Sequence, residues 1–557
     1  MSSARPSVHE ISDGYVDRYA ALDPILATYL GIPGHDARLT DCSPDAHDER
    51  ARLASDTLRQ VTEAEPVDDG EAAARAVFTE RVGLELEIHD AGLDASALNV
   101  IESPVQNMRQ VFDLMPTDTA EDWTTIRDRL AAVPGALDSL RESLRHAAEQ
   151  GNVAAVRQVV RTAEQCETWS GQTGATPFFA TFVKQADVPT ALAGELETAA
   201  SGAGAAFGDM AVFLRDELAP KAPQEDAVGE DVYRLWSRYF IGASLDLREA
   251  YQWGWEELAR IESEMATVAG RIRPGVTAAE AAAALDADPR YRVHGQPAFE
   301  EWMQQLSDKA LIALRDKHFA IPDELMTLEC RIAPPGGTIG MYYTGPTDDF
   351  SRPGRMWWSV PADKEDFSTW REVTTVYHEG VPGHHLQVAT AVHEAGLNRF
   401  QRLMCWVSGH GEGWALYAER LMRELGYLDD DGDYLGMLDA HLFRAARVIV
   451  DIGMHLKLEI PSGTGFHEGQ TWTPELGLEF LLTRTLSEAA HARDEIDRYL
   501  GWPGQAPSYK LGERLWLALR EEARRREGPT FDAKAFHTNA LRLGGMGLDT
   551  LRERLGG

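Results

Sequence analysis

"FSTWREVTTVYHEGVPGHHLQV", residues 367–388, decides how this chain is read. Its first half is helical in pattern. Trp370, Val373 and Val376 recur three apart, an apolar stripe that lies on one face only when the backbone turns every 3.6 residues. His378 and Glu379 close that half. In the common zinc-hydrolase arrangement a second histidine follows four residues after the first, with the glutamate beside the first as base. Here Pro382 holds that position, and His384 and His385 come later. Proline donates no backbone hydrogen bond, and its ring collides with the carbonyl four residues back. The helix therefore has to widen or break near Gly380–Gly383, and the expectation is a bulge at Pro382–Gly383 that lets either His384 or His385 fold back towards His378.

A hydrolytic zinc takes three protein ligands and leaves one position open. The third comes from "SGHGEGWALYAERLMREL", 408–425, where Glu412 precedes a helix expected to begin near Gly413. Glu412 and Glu419 are two turns apart and can face the same way. Two histidines and a downstream glutamate form a known catalytic zinc set. Glu419 is expected to orient a ligand histidine.

A second unusual stretch is "LGMLDAHLFRAARVIVDIGMHLKLEI", 435–460. Its apolar content predicts a buried helix, yet His441, Arg444, Arg447, Asp451 and His455 recur at spacings of three and four along one face. Buried charge is costly unless paired. An ion pair of Arg444 or Arg447 with Asp451 is one expectation. The other is a face turned to substrate, with His455 donating to a developing oxyanion and Arg444 or Arg447 holding a carboxylate. Tyr343, Tyr509 and Arg352 lie in turn-rich segments that can add substrate contacts, with Tyr343 or Tyr509 expected to join His455 at the oxyanion.

Outside these segments the chain reads as helix after helix. "EDWTTIRDRLAAVPGALDSLRESLRHAAEQ", 121–150, has the helical period, with Pro134–Gly135 expected to interrupt it. The Pro- and acid-rich stretch 219–231 is the expected boundary between a helical lobe, 1–225, and a catalytic lobe, 226–557. Gly, Pro and aromatic residues at 327–360 predict a small β insert. The expected class is mainly α.

The 557 residues carry a formal net charge of −35, which speaks against a nucleic-acid partner. No apolar run long enough for a membrane span occurs, and the N-terminal residues lack the pattern of a secretory signal. Four scattered cysteines read as reduced thiols, and the expected location is the cytoplasm.

"DPILATYLGIPGHDARLTDCSP", "YYTGPTDDFSRPGRMWW", "HEGVPGHHLQ", "EGWALYAE", "RAARVIVDIGMH" and "RYLGWPGQAPSYKLG" follow one another in the order of the bacterial family called domain of unknown function 885. The chain resembles that family almost end to end. The resemblance implies a two-lobed, helical, zinc-metallopeptidase-like fold around a deep cleft. "GHHLQ" is also similar to half of the motif in oligopeptidases and angiotensin-converting-type carboxypeptidases, which favours His384 over His385. "EGWALYAE" is similar to the segment bearing the glutamate ligand in thermolysin-like aminopeptidases, which points to Glu412. Two extra residues separate Glu379 from the Gly–His pair, a departure from that motif.

The leading expectation is a Zn2+-dependent hydrolase of peptide or related amide bonds on small substrates, with ligands His378, His384 and Glu412 and base Glu379. A dedicated amidase or cyclisation enzyme of small-molecule biosynthesis would keep the same site. A non-catalytic binding protein on a peptidase scaffold would not need Glu379.

Overall fold

The computed structural model describes residues 6–333, 340–361 and 363–556. It is mainly helical and divides into two compact units. One runs to Val228 and takes in Leu500–Trp502; the other comprises Gly229–Tyr499 and Pro503–Gly557.

The first unit is built of long helices, among them Val8–Leu22, Pro44–Glu63, Asp69–Asp90, Ala120–Glu149 and Thr190–Phe213. Their starts are set locally: the side chains of Ser7, Ser43, Asp68 and Thr119 accept from first-turn N–H groups. The helix Ala120–Glu149 runs straight through Pro134 instead of stopping there. A proline inside a helix costs about 3 kcal/mol. Trp123, Ile126, Leu130, Val133, Leu137 and Leu140 are all buried along this helix, and burying one large apolar side chain contributes roughly 1.5–3 kcal/mol. Packing therefore outweighs the local penalty.

The second unit holds every candidate residue. Its axis is the helix Asp431–Leu456, buried over most of its length. Leu247–Ile272, Thr369–Glu379 and Ser508–Glu527 pack against it. Ser408–Glu424 lies against Ser508–Glu527, and the two meet at bare backbone. A Cβ added to Gly413 would stand 2.6 Å from the Cα of Gly512, closer than any side chain can sit. The crossing fixes the 408–424 helix against the segment that carries Tyr509.

The small β region is present. Gly354–Trp358 is the middle strand, parallel to Leu328–Ile332 and antiparallel to Met341–Thr344. Residues 334–339 of the expected insert lie outside the described residues. Among the described residues no helix is long and apolar enough to cross a membrane, and no disulfide forms.

Candidate metal centre

His378 and Glu379 are the last two residues of the helix Thr369–Glu379, and His384 is the first of the next, His384–His393. The chain does not bulge here; it breaks. The Val381–Pro382 bond is cis, and Gly383 N–H donates to Tyr377 O at 3.0 Å. A Cβ on Gly383 would come to 2.5 Å from that same oxygen, so only glycine fits. The indole N–H of Trp414 donates to Pro382 O at 2.9 Å and ties the turn to the helix that carries Glu412. The missing proline N–H and the bare glycine thus turn the chain sharply enough to bring His384 back beside His378. Their ring centroids are 4.8 Å apart.

The helix with Glu412 begins at Ser408, not near Gly413. Glu412 is therefore well inside it, and Glu419, two turns on, shares its face. One Glu412 oxygen, Oε2, lies 3.1 Å from His378 Nε2 and 3.5 Å from His384 Nε2. His378, Glu379 and His384 are buried, and each offers a ligand atom within 4.8 Å of the others. Glu379 and Glu412 thus both stand near the histidines, and the direct contact with both Nε2 atoms belongs to Glu412.

Behind the pair, His378 Nδ1–H donates to Glu419 Oε1 at 2.8 Å, which turns its Nε2 towards Glu412. Thr374, one turn before His378, donates to the other Glu419 oxygen. His441 Nε2 lies 3.4 Å from Glu419 Oε2, and His441 Nδ1 accepts from the buried Lys510 ammonium at 2.9 Å. Lys510 in turn pairs with Glu513 and Glu257, so a chain of buried charges holds the Glu419 carboxylate in place.

The electrostatics follow from this geometry. Burial works against a charge on His378, but hydrogen bonds to Glu412 and Glu419 prevail and push its pKa up to about 10. Burial likewise opposes charge on Glu412 and Glu419, and the histidines hold both well below the usual carboxylate range. Glu379 lacks such bonds, and burial pushes its carboxyl up, with His384, His378 and Arg444 pulling the other way.

The donor set fits a zinc ion. With bonds of about 2.0–2.1 Å, a tetrahedral shell separates neighbouring donors by roughly 3.3 Å. The two Nε2-to-Glu412 distances, 3.1 and 3.5 Å, bracket that value. His378 stands between two carboxylates, Glu419 at Nδ1 and Glu412 at Nε2, a setting that favours positive charge. With a metal bound, Glu419 would serve as the outer carboxylate of a ligand histidine. Replacing it by Gln is expected to weaken zinc binding about 10–100-fold in competition with a chelator; unchanged affinity would contradict that role.

The other expected residues divide sharply. His385 points away: Nδ1 meets Tyr343 OH at 3.0 Å and Nε2 donates to Leu325 O at 2.9 Å. That same bond occupies Tyr343, which was expected at the oxyanion. His455 is fully buried, with Nε2–H on Tyr499 O at 3.0 Å, and so has no donor free for substrate at that nitrogen. Arg447 pairs with Glu495 at 2.8 Å and not with Asp451. Asp451 instead accepts from Tyr233 OH at 2.5 Å and from Gly504 N–H at 3.1 Å. Arg352 donates to Gly345 O within its own loop at 2.9 Å. Tyr509 does reach the centre. Its ring stacks on His378 at 6.4 Å between centroids, and burial and the Glu412 charge raise its pKa, which keeps the phenol a donor.

Three participants escaped the sequence reading. Thr374 sits at the i−4 position of His378, a spacing that could have flagged it. Lys510 is a lysine next to Tyr509, where a Pro–Gly turn leads into a helix. Trp406 gave no signal; it is 54% exposed, and its ring lies 5.8 Å from that of His384.

A family model described as "Bacterial protein of unknown function (DUF885)" matches residues 24–555. No curated protein matches the chain. Two solved structures of proteins described as a "putative lipoprotein" share the fold. The one from Colwellia psychrerythraea is 23% identical with a TM-score of 0.83, over 99% of this chain and 98% of its own. The one from Shewanella oneidensis, described further as of unknown function, is 18% identical with a TM-score of 0.74, over 99% and 100%.

Proposed function

The chain belongs to the DUF885 family of bacterial proteins of unknown function, and within that family we propose that it is a zinc-dependent hydrolase of peptide or related amide bonds. The observation that carries this reading is the convergence of His378 Nε2 and His384 Nε2 on Glu412 Oε2, with a second, unbridged carboxylate, Glu379, beside them. A purely structural ion pair needs one carboxylate for one histidine. Here two histidines and two carboxylates meet, and a third carboxylate, Glu419, orients one histidine from behind.

His378, His384 and Glu412 would hold the metal. Zinc in such a setting polarises a carbonyl and lowers the pKa of water. Glu379 is the general base: its raised proton affinity suits it to take a proton from the attacking water and return it to the leaving amine. Tyr509 O–H is the donor for the tetrahedral oxyanion, and it replaces His455 and Tyr343 in that role. Arg447 and Arg498, both paired with Glu495, hold the ground behind Tyr509. Trp406 offers an exposed apolar wall beside His384.

The test joins metal analysis to product identification. Freshly purified protein is expected to carry one zinc per chain, and mass spectrometry of a mixed library of short peptides is expected to reveal new cleavage products that vanish with a chelator. A zinc-loaded chain that releases no product from any peptide or amide sinks the hydrolase reading.

A further inference from the structure

Five polar residues line one face of the helix Asp431–Leu456, and the structure supplies partners for four of them. His441 has Lys510, Arg447 has Glu495, Asp451 has Tyr233 and Gly504, and His455 has the Tyr499 carbonyl. Arg444 is the exception. Its Nη1 donates to Ala440 O, one turn back in its own helix, at 3.2 Å. Its Nε is buried with no hydrogen-bond partner. Among the described residues no carboxylate forms an ion pair with it. Acids are not scarce, since the chain has 89 Asp and Glu against 54 Lys and Arg. A guanidinium without a counter-charge in a half-buried setting is costly, and an anionic group that arrives from outside would relieve that cost.

Its position says what that partner meets. Arg444 follows His441, the neighbour of Glu419, by three residues. Its guanidinium carbon lies 6.0 Å from the ring centroid of Tyr509, and that ring stacks on His378 at 6.4 Å. Its charge acts through space on Glu379 and on Asp439, but Asp439 is already paired with Arg371 at 3.2 Å. The guanidinium is thus within about four extended residues of His378, at roughly 3.3–3.6 Å per residue.

We propose that Arg444 is the subsite for a free carboxylate of the substrate, so that the chain acts within the last few residues of short peptides that end in an α-carboxylate. The inference rests on the hydrolase reading and narrows it to the C-terminal end. The planar fork of the guanidinium matches a carboxylate in a paired, charge-assisted contact that a C-terminal amide cannot make. Arg447, the other arginine of this face, cannot do the same because Glu495 already occupies it.

The experiment compares one set of short peptides as free acids and as C-terminal amides. kcat/KM is measured with the zinc-loaded protein and with R444Q and R444K, and binding of the same pairs to the E379Q protein is measured by calorimetry. The wild-type chain is expected to favour the acid by about tenfold to a hundredfold. R444Q is expected to bring the acid-to-amide ratio close to one, chiefly through KM, with zinc content and melting temperature retained; R444K is expected to recover part of the ratio. Equal treatment of acid and amide by the wild-type protein, or an R444Q protein that keeps the preference, overturns the proposal. An acid preference in binding that R444Q abolishes, in a chain that cleaves nothing, supports the carboxylate subsite and overturns the hydrolase reading instead.

Discussion

Replacing Glu379 by Gln is expected to lower kcat/KM for peptide hydrolysis by about 10²–10⁴-fold while zinc stays bound at one per chain. The size follows from what the carboxylate does. An amide of the same shape cannot accept the proton of the attacking water or pass it to the leaving nitrogen. The retention of metal follows from geometry. Glu412 is the group in contact with both imidazoles, and Glu419 still fixes His378 when Glu379 is neutral. Steady-state kinetics with metal analysis on the same sample decide it. A fully active variant removes Glu379 as base. A variant that loses its zinc makes Glu379 a ligand, an outcome the close grouping of His378, Glu379 and His384 makes worth measuring.

The second large effect separates two neighbours in sequence. His384→Ala is expected to cost more zinc affinity than the roughly 10–100-fold of an outer partner, and to leave the purified chain without stoichiometric metal. His385→Ala is expected to keep the metal. It loses the bonds to Tyr343 OH and Leu325 O, and so about 1–3 kcal/mol of stability. Burial keeps His385 neutral, with its pKa pushed down to about 4, as suits a histidine that spans a hydroxyl and a carbonyl. Zinc loss from His385→Ala with retention in His384→Ala would reverse the assignment.

The helical class was legible because it rests on periodicity, which survives in any sequence whose helices bury one face. The stop expected at Pro134 failed for the same reason in reverse. A local rule about one residue met a helix whose apolar face is buried along its length, and the packing prevailed. At the centre, residue types were readable and directions were not. His378, Glu379, Glu412 and Glu419 announce themselves by chemistry and spacing. Which of His384 and His385 turns inward depends on the exact path through Gly380–Gly383, a property of three-dimensional closure. The polar stripe of 441–455 was visible as a stripe, but its partners Glu495, Tyr233 and Lys510 come from distant segments that no spacing connects to it. Sequence could therefore nominate Arg444 and Arg447 together, and only the contacts tell them apart.

The glycine crossing of the 408–424 and 508–527 helices has a bearing on how the centre fills. A joint made of backbone contains no rotamers, so it has no side-chain entropy to lose and no alternative packing to sample. The spacing between the Glu412 and Tyr509 segments is then set once, when the chain folds. A cation entering the proposed centre would then meet a rigid cradle, and loading it would change the electrostatics of the chain far more than its shape.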